Sequence, residues 1–253
     1  MGSIALPARA KLNLDLVVEG RRSDGLHELR THVQAVALHD LLIAQKAKLR
    51  TEMSMSGLVP VGSGPNSVLK ALSALELAVG HSLPTRFWLD KRIPPGSGMG
   101  GASSDAATAL RAVAALYELD VDIPELARQI GSDVSFFLRG GGALVEGAGE
   151  RVTPRPVADA WFAIAWPGIE LSTALAYRAY DEVGGEGPNQ LRRAASRVNP
   201  SLDKFALALG EGWRMTGSGS AFFLECPDQA SAATAAERVD CWTAVTQSVR
   251  PWA

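Results

Sequence analysis

Cysteine is scarce: the chain holds only Cys226 and Cys241, both late in its 253 residues. Two such thiols match no metal-ligand spacing and build no disulfide framework, so the pattern fits reduced thiols in a cytosolic protein. Charge of one sign is not in excess either. Lysine plus arginine total 25 against 27 for aspartate plus glutamate, which argues against a chain built mainly to hold nucleic acid. No uncharged apolar run approaches the roughly 20 residues that span a bilayer. The opening MGSIALPARAKLNLDL lacks the basic-then-apolar order of a secretory signal, and Leu6 stands where a myristoylation signal needs Ser or Thr. There is no internal repeat and no low-complexity tract. These absences lead to the expectation of a soluble cytoplasmic protein with no membrane or nucleic-acid partner. What remains is an ordinary globular composition, 47% hydrophobic and 21% charged, enough for one large domain or two compact ones.

Periodicity places the elements. Leu12, Leu14 and Leu16 alternate with Asn13 and Asp15, which predicts a strand over 12–18. Asp24-Gly25 marks a turn, and 33–43 is apolar and β-branched enough for a second strand. Asn66 is placed to cap a helix over 66–79. Phe87, Leu89, Lys91 and Ile93 alternate with Arg86, Trp88, Asp90 and Arg92, as in a strand. Asp122, Pro124 and Glu125 open a helix over 123–130 that Gly131 ends. Residues 139–150 are glycine-rich, and 151–160, RVTPRPVADA, read as a domain junction. Beyond it the pattern predicts a strand at WFAIAW, a helix over 173–183, a loop at 184–188, a strand at AFFLE and a helix over 229–238.

The most informative segment is Pro94, Pro95, Gly96, Ser97, Gly98, Met99, Gly100, Gly101, Ala102, Ser103 and Ser104. It joins a strand to a helix in which Ala106, Leu110, Val113, Ala114 and Tyr117 repeat with helical period. Glycines let backbone N–H groups approach an anion, and the following helix adds its free N–H groups and positive dipole end. Ser103 and Ser104 can bond a phosphate, ligate a metal or cap the helix. Asp105 in the first turn suits the dipole and can also approach a metal. The loop is no Walker loop, because no lysine follows its glycines. Gly96, Gly98 and Gly101 match G-x-G-x-x-G, but not at the first strand-helix turn a Rossmann fold requires. Taken alone, the same residues also serve as a tight turn before a helix.

Wider context points one way. The sequence resembles the GHMP kinase family, which includes galactokinase, homoserine kinase, mevalonate kinase and phosphomevalonate kinase. That family's phosphate-loop signature runs here from Pro94 to Ala106, with Met99 in the place of its leucine. PARAKLNLDL at 7–16, RSDGLHELRT at 22–31, KRIPPGSGMGGASSDAA at 91–107, IGSDVSFFLRGGGALVEGAGE at 130–150 and MTGSGSAFF at 215–223 are similar, in this order, to one branch of it. The resemblance implies a two-domain α/β (α+β) GHMP kinase fold. Domain 1–155 would hold the phosphate loop and both catalytic residues, domain 156–253 would be a smaller sheet-and-helix layer, and the active-site cleft would lie between them. It implies transfer of a phosphoryl group from ATP, with Mg²⁺, to the 2-hydroxyl of a cytidine-diphosphate-linked sugar alcohol. That reaction belongs to non-mevalonate isoprenoid (terpenoid) synthesis, and the protein would act as a monomer or homodimer. The alternatives are another GHMP small-molecule kinase of homoserine or mevalonate type, a related decarboxylase, and a non-catalytic nucleotide-binding module. The histidine turn at 24–27 and the Lys-Leu-Asn start speak against the first, and no block supports the second. The presence of both Lys11 and Asp133 speaks against the third.

The resemblance carries over Lys11 and Asp133 as the catalytic pair. A carboxylate can take the attacking hydroxyl's proton, and an ammonium can keep that carboxylate ionised and offset charge on the transferring group. Taken alone, Asp133 reads as a carboxylate capping backbone and Lys11 as a solvated charge on a strand. His27 stands at the family's cytosine-reading histidine and Asn13 at an asparagine that contacts the sugar alcohol. Tyr177 stands in a segment that brings an aromatic to the base, though it also suits the core face of a helix. Thr173 contacts substrate or caps that helix. Leu26 replaces the family's tyrosine, whose stacking on a pyrimidine is worth roughly 1–3 kcal/mol. The region 184–213 is short for the family, which implies a more open substrate side. Thr216-Gly217-Ser218-Gly219-Ser220 reads as a turn that braces the phosphate loop.

Overall fold

The computed structural model describes residues 2–57 and 66–252. In chain order these form β1 (Ser3–Asn13), β2 (Val17–Arg21), β3 (His27–Lys46), β4 (Glu52–Gly57), α1 (Ser67–Val79), β5 (Thr85–Lys91), α2 (Gly101–Tyr117), α3 (Ile123–Ile130) and α4 (Val134–Arg139). There follow β6 (Gly142–Gly147), β7 (Arg151–Arg155), β8 (Trp161–Trp166), α5 (Thr173–Val183), α6 (Arg192–Val198), α7 (Ser201–Leu209), β9 (Arg214–Met215), β10 (Phe222–Cys226), α8 (Gln229–Glu237) and β11 (Trp242–Gln247). The fold is thus mixed α/β, as expected. The elements fall into two compact units that interleave along the chain. One comprises Met1–Ala10, His39–Pro95 and Gly100–Arg139, the other Lys11–Leu38, Gly96–Met99 and Gly140–Ala253.

In the first unit β5 pairs in parallel with β4, from Thr85's neighbour Arg86 opposite Glu52 to Lys91 opposite Gly57. Its other edge pairs antiparallel with the end of β3, from Leu41↔Asp90 to Lys46↔Thr85. Strict alternation makes this possible: Phe87 and Leu89 are buried while Arg86 and Trp88 are exposed. Among the described residues, four helices join these strands in the unit. Asn66 caps α1, its side chain accepting from the N–H groups of Val68 and Leu69, a bond worth about 1 kcal/mol. Asp122 caps α3 by accepting from Glu125 N. In α2 every residue from Ser104 to Leu110 is buried. A helix covered on all sides needs small residues, and alanines at 106, 107 and 109 let its neighbours come close.

In the second unit the first part of β3 pairs with β2 from Val17↔Arg30 to Arg21↔His27, and with β6 from Leu29↔Gly147 to Gln34↔Gly142. β6 continues into an antiparallel pair with β7. A separate antiparallel sheet runs β11-β8-β10-β9. Residues Leu16, Leu171, Ala176, Leu191, Ala195, Leu202, Met215 and Phe222 form one core of this unit. Each large side chain among them contributes about 1.5–3 kcal/mol by leaving water.

Two expectations are corrected. The strand predicted over 12–18 breaks at 14–16, because the backbone there turns to other partners. Leu14 N donates to His32 O and Leu16 N to Pro188 O. The segment 151–160 is not wholly a junction: its first five residues are β7, whose one proline, Pro154, sits in a sheet-edge strand where a missing N–H is tolerated. No helix among the described residues is long and apolar enough to cross a membrane.

Candidate active site

The glycine loop is held from three sides within the second unit. Gly96 O accepts from Leu171 N at 3.1 Å and from Ser220 N at 3.1 Å, Ser97 O accepts from Ala221 N at 3.0 Å, and Met99 O accepts from Lys11 N at 3.0 Å. The carbonyls are therefore spent on the protein. The N–H groups of Gly98 and Met99 donate to no acceptor among the described residues. Carbonyls committed to the protein beside amides left uncommitted are what an anion cradle requires. The packing demands glycine: at Gly98 (φ +79°) an added Cβ would fall 2.2 Å from Thr216 O. Facing it, at Gly217 (φ +56°), a Cβ would fall 2.8 Å from Gly98 O and 3.1 Å from Lys11 Nζ. Met99, in the family's leucine position, is fully buried and anchors the loop. The 216–220 turn thus braces the loop directly.

Lys11 is buried beside it, on the last residues of β1, and its ammonium donates to Asn13 Oδ1. Asn13 is fixed in turn: its N–H donates to Thr216 Oγ1 at 2.8 Å and its amide Nδ2 to Thr31 Oγ1 at 2.9 Å. Asn13 is thereby oriented with its oxygen toward the lysine. Thr216 itself is held because Asn189 Nδ2 donates to the flanking carbonyls of Met215 and Gly217, at 2.7 and 2.9 Å. Lys11, Asn13, the loop and the 216–220 turn form one connected group.

Asp133 lies in the first unit, half-buried, one residue before α4. Also in that unit, the phosphate-loop helix begins differently from expectation. Neither Ser103 nor Ser104 caps α2. The cap is Gly100 (φ +72°), with no side-chain bond, and Ser104 N makes the first helical bond to its carbonyl at 2.9 Å. A glycine cap brings bare backbone to the helix start and leaves the N–H groups of the first turn available. Asp105 lies beyond the first turn of α2, so it does not stand at the dipole's positive end as expected. It is buried with Oδ2 accepting from Lys91 Nζ at 2.7 Å, while Oδ1 has no partner. Lys91 also donates to Asp40, whose other oxygen accepts from Arg92 N and Ile93 N at 2.5 and 2.8 Å. This cluster clamps the chain just before Pro94. Burial pushes the Asp105 carboxyl up to about 7, against the pull of Lys91. Lys91 is pushed up by its two carboxylates despite burial.

The remaining predicted residues gather at the start of β3 and on α5. The His27 ring stacks on Tyr177 at 4.8 Å and meets the edge of Tyr180 at 6.1 Å. Its Nε2 lies 2.7 Å from Asp181 Oδ1. Leu26 beside it is 54% exposed, so the position that departs from the family pattern faces solvent. Ser172 rather than Thr173 caps α5, accepting from Leu175 N. Thr173 Oγ1 instead hydrogen-bonds Ser218 Oγ at 2.9 Å, which ties α5 to the 216–220 turn.

A family model described as the GHMP kinases N terminal domain matches residues 66–141, and one described as GHMP kinases C terminal matches 176–242. The chain belongs to the GHMP kinase family. Within that family it is 40% identical to a protein of Thermus thermophilus named 4-diphosphocytidyl-2-C-methyl-D-erythritol kinase, over 93% of this chain and 92% of that one. A Pseudomonas aeruginosa protein of the same name is 35% identical over 90% of this chain and 87% of its own. The crystal structure of a 4-(cytidine 5'-diphospho)-2C-methyl-D-erythritol kinase superimposes with a TM-score of 0.82 at 34% identity, covering 97% of this chain and 99% of that one. The shared GHMP kinase framework leaves several polar residues that sequence reasoning did not single out: Asp40, Asp181 and Asn189. Asp40 meets Lys91 across 51 residues and Asn189 meets Met215 across 26, so no local spacing announces either.

Proposed function

We propose that this GHMP kinase transfers the γ-phosphoryl group of ATP to the 2-hydroxyl of 4-diphosphocytidyl-2-C-methyl-D-erythritol, a step of non-mevalonate isoprenoid synthesis. The observation that carries the substrate is 40% identity along nearly the whole chain to a kinase of that name. The hydroxyl oxygen bonds to the γ-phosphorus, the bond from that phosphorus to the β,γ-bridging oxygen breaks, and ADP leaves. Asp133 is assigned the hydroxyl proton and Lys11 the charge of the transferring group, consistent with a transfer that asks mainly for positioning and electrostatics. Residues 94–104 are assigned to the phosphates; the uncommitted amides of Gly98 and Met99 support this reading. His27, Tyr177 and Leu26 are assigned to the pyrimidine, and Asn13 and Thr173 to the sugar alcohol.

Among the described residues no group of three or more His, Cys, Asp or Glu side chains could hold a metal ion. Mg²⁺ suits such a site nonetheless, since it keeps most of its waters and binds through substrate phosphates. It is assigned to arrive with ATP, and the Ser103 hydroxyl in the first turn of α2 is a hard oxygen donor just past the loop. When bound, it would neutralise phosphate charge.

The test is an acceptor panel. ADP release is followed with ATP, Mg²⁺ and, in turn, 4-diphosphocytidyl-2-C-methyl-D-erythritol, homoserine and mevalonate. Turnover with the cytidine substrate alone, and a new phosphomonoester on its 2-oxygen by phosphorus NMR, is expected. Turnover with homoserine or mevalonate instead would replace this substrate with that one.

A further inference from the structure

We propose that Asp181 is a positioning residue that fixes the tautomer of His27, leaving Nδ1 as a bare acceptor for the pyrimidine and so favouring cytosine over uracil. This rests on the proposed cytidine-bearing substrate, and it adds a residue that the phosphate-loop and lysine-asparagine blocks do not contain.

His27 is the first residue of β3 and is held on three sides: Tyr177 against its face, Tyr180 at its edge, and Asp181 on Nε2. Its side chain is only 9% exposed, so the ring cannot turn over to exchange its nitrogens without breaking all three contacts. An ionised carboxylate only accepts hydrogen bonds. A contact of 2.7 Å to Asp181 Oδ1 therefore places the proton on Nε2. A neutral imidazole with its proton there presents a lone pair at Nδ1. That nitrogen has no hydrogen-bond partner among the described residues.

Arg21 Nη1 lies 3.6 Å from the second oxygen of Asp181. The guanidinium thus shares the carboxylate's charge, and Asp181 acts on His27 chiefly as a directed acceptor. The supports come from one short stretch: Tyr177, Tyr180 and Asp181 occupy positions i, i+3 and i+4 of α5, and so share one face of that helix. One helix face delivers the stacking partner, the edge partner and the acceptor together.

The consequence is specific to the base. Cytosine carries an amino donor at its 4-position where uracil carries a carbonyl acceptor. A bare Nδ1 takes a hydrogen bond from the amino group. Against the uracil carbonyl it would set acceptor against acceptor, leaving both desolvated and unpaired. Discrimination of this kind needs a defined tautomer, because a ring free to protonate Nδ1 would accept either base. Leu26 cannot supply it, since an aliphatic side chain covers a base face without reading its edge.

The test compares wild type with Asp181→Ala and Asp181→Glu, using 4-diphosphocytidyl-2-C-methyl-D-erythritol and its uridine counterpart. Asp181→Ala is expected to raise KM for the cytidine substrate and to lower the cytidine-to-uridine ratio of kcat/KM about tenfold. The KM for ATP and kcat on the cytidine substrate stay within about twofold, because nothing at the phosphate loop changes. Asp181→Glu retains an acceptor-only group and restores most of the ratio. Nitrogen-15 NMR of the ring is the independent readout: the wild type shows His27 protonated at Nε2, and Asp181→Ala a mixture. An unchanged ratio in Asp181→Ala, or a wild-type His27 protonated at Nδ1, would overturn the positioning role while leaving the kinase assignment intact. A wild-type chain that turns over neither nucleotide would overturn the substrate reading, and this proposal with it.

Discussion

Asp105 shows how a single residue can be read wrongly from its position and correctly from its surroundings. Read from the sequence as a first-turn residue it suggests a dipole or metal role, yet it lies deeper in α2 and is buried, with one oxygen on Lys91 and the other on nothing. Desolvation, the larger influence, raises its pKa from 3.8 to about 7. Unfolded, the carboxyl gives up its proton near the lower value; folded, near the higher. Between them the folded state holds the extra proton, so this group's contribution to stability is fullest below the lower value, falls as pH rises, and levels off above the upper one. Asp105→Asn removes that slope. Its melting temperature relative to wild type is expected to be higher at about pH 8 than at about pH 5; an equal difference at both would contradict the assignment. Leu26 is the second telling residue. Because it is exposed beside His27, Leu26→Tyr has room and restores a stacking surface. The KM for the cytidine substrate should fall about 5- to 150-fold, the equivalent of roughly 1–3 kcal/mol. An unchanged KM would mean that the base does not lie over this position.

At the scale of elements, the phosphate loop works as one of two interlocked turns. Gly98→Ala puts a Cβ at a positive φ and against Thr216 O. The variant is expected to lose more than about 1 kcal/mol of stability and to raise KM for ATP at least about tenfold, with the larger share in ATP binding. Thermal melting and ATP titration together check this; an unaffected ATP KM would show that the loop does not hold phosphate. The pairing of 96–99 with 216–221 was legible only through resemblance, because a hundred residues of chain separate turns that have no common pattern. Local signals fared better. Asn66, Asp122 and the alternation over 85–91 each act on neighbours within a turn or a strand, and each is found where periodicity and capping place it. What escaped was set by distant partners. The short strands β6 and β7 are carried by pairing within glycine- and proline-rich sequence, and the start of α2 shifted to Gly100 because a bare backbone fits where a serine cap was expected. The Asp40–Lys91–Asp105 cluster escaped for the same reason, being assembled from β3, β5 and α2.

For the molecule as a whole, both family models and relatives aligned over most of their length show a GHMP kinase. The second unit alone assembles Lys11, Asn13, the glycine loop and its bracing turn, and also gathers His27 with Tyr177. Asp133 belongs to the first. The central claim is that the chain phosphorylates 4-diphosphocytidyl-2-C-methyl-D-erythritol with Asp133 taking the hydroxyl proton. The direct test is ADP release with ATP, Mg²⁺ and that acceptor, by wild type and by Asp133→Asn of equal melting temperature. The account predicts acceptor-dependent turnover in the wild type and a kcat about 10²–10⁴ lower in the variant, with ATP binding retained. Full turnover in Asp133→Asn, or ADP release by the wild type that does not depend on the acceptor, would contradict it.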